Sequence, residues 1–180
     1  MARKRRYWFP GAIYHITARG NRKEDIFLDS KDRNMYLKYL KETKHDCHFH
    51  IHAYCLMSNH VHLLMETPSI PPGQILQRLH LKYSKYFNSR YRHVGHLFQD
   101  RYHSEIILGH HYFKRACFYI HQNPEKAGID WAAKDPLWSS NWYYLNLDEE
   151  GFVSTQLLMT LLSTSYEKAL EVEKLTALLE

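Results

Sequence analysis

From Cys47 to Glu66 the chain alternates along two consecutive runs, a pattern that a β-hairpin satisfies. Side chains of a strand point alternately to its two faces. In the first run, Cys47 to Leu56, His48, His50, His52 and Tyr54 therefore share one side, and Cys47, Phe49, Ile51, Ala53 and Cys55 share the other. Ser58-Asn59 turns the chain, and His60 to Glu66 returns as the second strand. The three-histidine face is expected to be the polar outer face of a sheet, with some of its members near anionic ligand.

The flanking sequence extends this sheet and covers it. Ala12 to Ala18 is rich in β-branched and aromatic residues and reads as a strand, followed by a basic turn over Gly20–Glu24. A helix is predicted from Asp29 or Ser30, as N-cap, to about Lys44. A second is predicted from Gln74 to about Tyr91, and a third from about His111, ended by Pro124 because the residue before proline is biased out of helical conformation. Gly95 to Leu108 reads as a loop with short extended pieces. Short amphipathic helices over Ser154–Leu162 and Ser165–Leu179 complete the pattern. Strands and helices in this order give an α+β fold with an antiparallel sheet.

Charge is distributed unevenly along these elements. Residues 1–130 hold 21 Lys and Arg against 11 Asp and Glu, whereas residues 131–180 hold 3 against 8. All 14 histidines also lie between His15 and His121. A basic body with an acidic tail points to an anionic partner for the first part, nucleic acid above all. The three cysteines are too few and too scattered for a disulfide framework or a CxxC zinc site. No run approaches the roughly 18 apolar residues of a membrane helix, so no membrane partner and a cytoplasmic location are expected.

The chemistry centres on His60-Val61-His62. Both imidazoles project from one strand face, roughly 7 Å apart, and two converging imidazoles can bind a divalent metal. The same spacing also fits a polar pair on a half-solvated face. In Tyr119-Ile-His-Gln-Asn123-Pro124, Tyr119 and Asn123 lie one helical turn apart. Tyrosine can act as a covalent nucleophile, and an amide oxygen can complete a His–His–amide site suited to Mg²⁺ or Mn²⁺. A core tyrosine with an asparagine helix cap is the structural alternative.

Several blocks in one order resemble a known family. They are Pro10-Gly-Ala-Ile-Tyr-His15 with Ala18-Arg-Gly-Asn21, Leu56-Met-Ser-Asn-His-Val-His-Leu-Leu64 and Gly95-His-Leu-Phe-Gln-Asp-Arg-Tyr102. Tyr119-Ile-His-Gln-Asn-Pro-Glu-Lys-Ala-Gly128 and Trp138-Ser-Ser140 complete the set. The chain is similar to the single-tyrosine HUH transposases of the IS200-like group, and most of all to the REP-associated tyrosine transposases. The resemblance covers about residues 5–145, with one departure: Ser58 stands where the family has proline.

The resemblance implies a ferredoxin-like fold and metal-dependent cleavage and rejoining of single-stranded DNA through a 5′-phosphotyrosine. It makes Tyr119 the nucleophile, His60 and His62 metal ligands, and Asn123 the third ligand, with Gln122 as runner-up. It also implies imperfect hairpin or palindromic repeats as target, and leaves a homodimer open, since only some relatives exchange the tyrosine helix between subunits. Residues 1–130 are then the nuclease domain with its basic arm, and 131–180 an acidic, mainly helical extension.

Independent of the resemblance, Arg3, Lys4, Arg5 and Arg6 stand beside Tyr7 and Trp8, a combination suited to phosphates and stacked bases. Arg19, Arg22 and Lys23 cluster around the first loop, and Arg78, Lys82 and Lys85 repeat at helical spacing, where a solvated face is the competing reading. As proton acceptors for the tyrosine, His15, His52 and His103 are the candidates. Two other functions compete: a non-catalytic or domesticated nucleic-acid-binding module acting on hairpin repeats, and a metal-dependent hydrolase that uses water in place of Tyr119.

Overall fold

The computed structural model describes residues 7–128, 136–146 and 151–165. The arm residues Arg3, Lys4, Arg5 and Arg6, and nearly all of the helix expected over Ser165–Leu179, lie outside the described residues. Four strands form one antiparallel sheet: β1 (Ala12–Arg19), β2 (His50–Leu56), β3 (His60–Thr67) and β4 (His103–Ile106). Their order is β2-β3-β1-β4, so β1 and β3 are central, as in ferredoxin-like folds. The principal helices are α1 (Ser30–Cys47), α2 (Pro72–Tyr91) and α3 (His110–Lys126). A short α4 (Asn141–Leu145) and a helical stretch over 156–165 follow.

Helices cover both faces of the sheet. α1 and α2 bury Tyr36, Leu40, Ile75, Leu79 and Tyr83 against Tyr14, Ile16, Val61, Leu63 and Met65. Burying each such side chain contributes about 1.5–3 kcal/mol, which makes this face the main source of stability. α3 lies on the other face, where Phe113, Ala116, Cys117 and Ile120 pack on Ala53, Cys55 and Leu64. His62 therefore lies on the face that α3 partly covers, and among the described residues both sheet faces carry helices.

Three local expectations need correction. α1 continues to Cys47, and His48 caps it in the left-handed region (φ 50°), its N–H donating to the Lys44 carbonyl. Cys47 and His48 thus belong to the helix end, because Cys47 buries its side chain in the α1–α2 core. Within β2 the register with β3 slips between Ile51 and Ala53, a bulge centred on His52. Ile51 faces α1 and α2, whereas Ala53 faces α3, so the apparent unbroken alternation is reversed in mid-strand. Finally, Pro124 does not end α3, which runs on to Lys126. Placed in the last turn, the proline removes a single helical hydrogen bond.

β2 is an edge strand, and the C-terminal segments cover that edge. Ser140 N donates to the Tyr54 carbonyl (3.0 Å), and Tyr54 N donates to Ser140 Oγ (2.8 Å). Ser154 N donates to the Ile51 carbonyl (2.7 Å). These bonds satisfy strand groups that would otherwise be unpaired.

Candidate active site

The pairing of β1 with β3 builds the site. Its register sets Thr17 opposite His62 and Arg19 opposite His60, and directly opposed residues share a face. The His60 and His62 rings lie 4.9 Å apart between centroids, nearly perpendicular. His62 Nδ1 is 3.0 Å from His15 Nε2 and 3.2 Å from Thr17 Oγ1. His60 Nδ1 is 2.6 Å from Asn59 Oδ1. Each imidazole thus has Nδ1 engaged by protein.

α3 crosses above these rings. Tyr112, Arg115 and Tyr119 recur at helical spacing along the stripe that borders the sheet. The Tyr119 ring meets His62 edge-on at 5.7 Å and His15 at 5.8 Å between centroids. It is 45 % exposed, so it is no core aromatic. An open cleft of about 380 Å³ runs between β4 and α3, lined by His15, Thr17, His62, Glu105, Arg115 and Tyr119 among others. Lys126 places its ammonium 5.4 Å over the Tyr119 ring.

The electrostatics keep the imidazoles neutral. Burial, reinforced by His60, His15 and Arg19, pulls His62 down to about 3. Burial and then the Arg19 charge pull His60 down to about 4. Burial also lowers His15. Two neutral imidazoles with Nδ1 turned to protein partners leave Nε2 facing outward, and Nε2 offers a lone pair to a divalent cation wherever the proton sits on Nδ1. Among the described residues no group of three or more His, Cys, Asp or Glu is arranged to hold a metal ion.

Not every candidate from the sequence gathers here. Asn123 turns its amide back onto its own helix, Nδ2 donating to the Tyr119 carbonyl at 2.7 Å. Gln122 is exposed. Arg19, Arg22 and Lys23 surround the histidine end of the sheet, and all three are exposed or nearly so. Arg78, Lys82 and Lys85 lie on α2, across the sheet from the cleft. There Arg78 donates to Cys47 Sγ, and Lys82 pairs with Glu42 and Asp46.

The proton-acceptor candidates separate too. His52 is buried, packed on Phe113 and held between Glu66 (3.1 Å) and the Ser154 carbonyl (3.2 Å), so it takes no part in the cleft. His103 is exposed and 3.3 Å from Glu105. His15 touches both His62 and Tyr119. Sequence reading missed Thr17, Asn59, Glu105, Tyr112 and Arg115. Thr17 and Glu105 had only strand parity as a signal, and Asn59 only its place before His60.

The model of the family described as "Transposase IS200 like" matches residues 9–123, from the end of the N-terminal arm to Asn123. The chain belongs to the IS200-like transposase family. The match takes in every element that builds the cleft. Among solved structures, a REP-associated tyrosine transposase bound to a REP hairpin resembles this transposase with a TM-score of 0.66. The two share 20 % identity over 78 % of this chain and 82 % of the other, a likeness of fold. A protein from Deinococcus radiodurans R1, described as a candidate transposase, has a TM-score of 0.47 and 18 % identity over 66 % of this chain and 95 % of its own. No curated protein sequence matches the chain. No helix among the described residues of this IS200-like transposase is long and apolar enough to cross a membrane.

Proposed function

We propose that this transposase cuts and rejoins single-stranded DNA through a covalent link to Tyr119. The observation that carries the reading is the half-exposed Tyr119 ring set against buried His62 and half-buried His15, both held neutral, at the mouth of a cleft. The phenol oxygen attacks the scissile phosphorus and loses its proton. The bond from phosphorus to the 3′ oxygen breaks, and that oxygen leaves as a 3′-hydroxyl. The 5′ phosphate stays on Tyr119. A 3′-hydroxyl of another strand then attacks the phosphotyrosine, restores the phosphodiester and frees the tyrosine. One phosphoester replaces another at each step, so no nucleotide triphosphate is consumed.

His60 and His62 would hold the cation, Mg²⁺ or Mn²⁺, with Asn123 as the proposed third ligand once its amide is released from the Tyr119 carbonyl; when bound, the cation polarises the phosphorus and offsets the charge developing on its oxygens. Arg19 lies beside His60 and is placed to meet a DNA phosphate. Arg22, Lys23 and the arm Arg3–Arg6 extend the basic surface. A hairpin or palindromic repeat is the proposed target, supported by the hairpin bound to the structural relative. Residues 1–130 form the catalytic unit of this reading, and 131–180 an accessory extension.

Incubation with Mn²⁺ and single-stranded hairpin DNA should give an SDS-resistant protein–DNA complex, absent with Tyr119→Phe and with His60→Ala. An equal yield from Tyr119→Phe would move the covalent link to another residue, and no complex with the wild-type protein would favour the non-catalytic module or a water nucleophile.

A further inference from the structure

Asn59, in the turn between β2 and β3, joins the first loop to the histidine pair. Its backbone carbonyl accepts from Gly20 N at 2.9 Å, and its side-chain Nδ2 donates to the Lys23 carbonyl at 3.1 Å. Next to it, the Ser58 carbonyl accepts from Ile26 N (2.9 Å) and Phe27 N (3.0 Å). The loop clamped in this way is unusual. Arg22 (φ 54°) and Lys23 (φ 66°) are consecutive left-handed residues, a conformation that persists only where surrounding contacts impose it. Gly20 is required at its start, since a Cβ there would lie 2.1 Å from the Glu24 carbonyl oxygen.

The hydrogen bonds have a directional consequence. A carbonyl oxygen only accepts, so the Asn59 amide must present its NH₂ to Lys23. Its Oδ1 then faces His60 Nδ1 at 2.6 Å and can only accept as well. The proton of neutral His60 must therefore sit on Nδ1, which leaves the lone pair on Nε2. Left to itself, a neutral imidazole can carry its proton on either nitrogen.

We propose that Asn59 is a positioning residue that locks His60 in the Nδ1–H tautomer, and that the Lys23 carbonyl sets the orientation of the Asn59 amide. Its consequence for metal binding rests on the reading of His60 as a ligand. Given that reading, the basic loop and the first ligand are mechanically joined through one side chain. Outer-shell partners of this kind typically change metal affinity 10–100-fold when removed.

The test uses the full-length ¹⁵N-labelled protein without metal, with the His60 tautomer read from long-range ¹H–¹⁵N correlations. Wild type is expected to show Nδ1–H. Asn59→Ala is expected to show Nε2–H or an average of the two forms. Asn59→Asp keeps an acceptor for Nδ1–H and should retain the wild-type pattern. Mn²⁺ titration followed by electron paramagnetic resonance should show Asn59→Ala weakened by about 10–100-fold, with Asn59→Asp closer to wild type. An Nε2–H pattern in wild type, or an unchanged pattern in Asn59→Ala, overturns the proposal without recourse to activity. If the tautomer shifts as stated while His60→Ala leaves Mn²⁺ binding intact, Asn59 keeps its role and the ligand reading of His60 is what fails.

Discussion

His15 on β1 and His62 on β3 meet through their rings, Nε2 of the first 3.0 Å from Nδ1 of the second. Neither residue is near the other in sequence, and the contact decides which nitrogen of His62 faces the cleft. With Nδ1 turned to His15 and Thr17, only Nε2 remains for an external ligand.

On the proposed reading of His62 as a metal ligand, replacing His15 should act on metal binding before it acts on stability. His15→Ala is expected to weaken Mn²⁺ binding about 10–100-fold, the usual effect of losing a partner of a ligating imidazole. Phosphotyrosine yield should fall at low Mn²⁺ and recover as Mn²⁺ is raised. A yield that stays low at saturating Mn²⁺ would instead place His15 in proton transfer from Tyr119.

The basic residues divide by face, and their effects should divide likewise. Arg19 is opposite His60 in the β1–β3 register, whereas Lys82 is engaged by Glu42 and Asp46 on the helical side. Arg19→Ala should weaken single-stranded DNA binding and reduce the slope of log K against log salt by about 0.7, one phosphate contact. Lys82→Ala should leave that slope unchanged and cost less than about 1 kcal/mol of stability. Fluorescence anisotropy over a salt series measures both; a slope altered by Lys82→Ala would move the DNA path to the α2 face.

His121 makes folding stability depend on pH. Burial pulls it down to about 4 from an ordinary 6.5, with Nε2 bonded to Ser140 Oγ at 2.8 Å. Between those values the unfolded chain binds the proton and the folded chain does not, so stability is present above 6.5 and is lost as pH falls towards 4. The loss from this residue is about 2 kcal/mol at pH 5, at 1.36 kcal/mol per unit. His80, stacked on Phe98 and also held down to about 4 by desolvation, acts in the same direction. Urea midpoints at neutral and mildly acidic pH should show a smaller acid loss in His121→Gln; parallel losses in both proteins would count against this account.

The C-terminal segment should matter for stability and not for chemistry. Phe152 and Val153 are buried in the α1–α2 core, and Ser154 satisfies both Ile51 and His52 at the sheet edge. Deletion of residues 151–180 removes Phe152 and Val153 from this core and uncovers the Ile51 carbonyl and His52, and burial of each large apolar side chain is worth about 1.5–3 kcal/mol. A thermal midpoint lowered by several degrees, with unchanged adduct yield per folded molecule, is expected. Loss of the adduct in a fully folded truncation would assign the segment a part in catalysis.

Much of this was legible in the sequence because it is local. The His60-Val61-His62 spacing put both rings on one strand face, and the four-residue spacing put Tyr119 and Asn123 on one helix face, while the burial of Ala116, Cys117 and Ile120 beside an exposed Tyr119 came from the structure. His52 shows the limit. Parity grouped it with exposed His50, but the bulge placed it under α3, packed on Phe113 and bonded to Glu66. Ser139 and Ser140 were visible as a motif without a reason, which is the need to close the edge of β2.

The sequence by itself determined the helices, the hairpin and the His60/His62 pair on one strand face, since side-chain direction follows locally from backbone period, whereas the exposure of Tyr119 came from the packing of α3. Tertiary structure decided which residues surround that pair. His15, Thr17 and Glu105 reach the cleft only through the pairing of β1 with β3 and β4. Asn59 acts on His60 only because the distant Lys23 carbonyl orients its amide. Registers between separated strands are selected by the burial of whole faces, a global free energy that no local pattern contains.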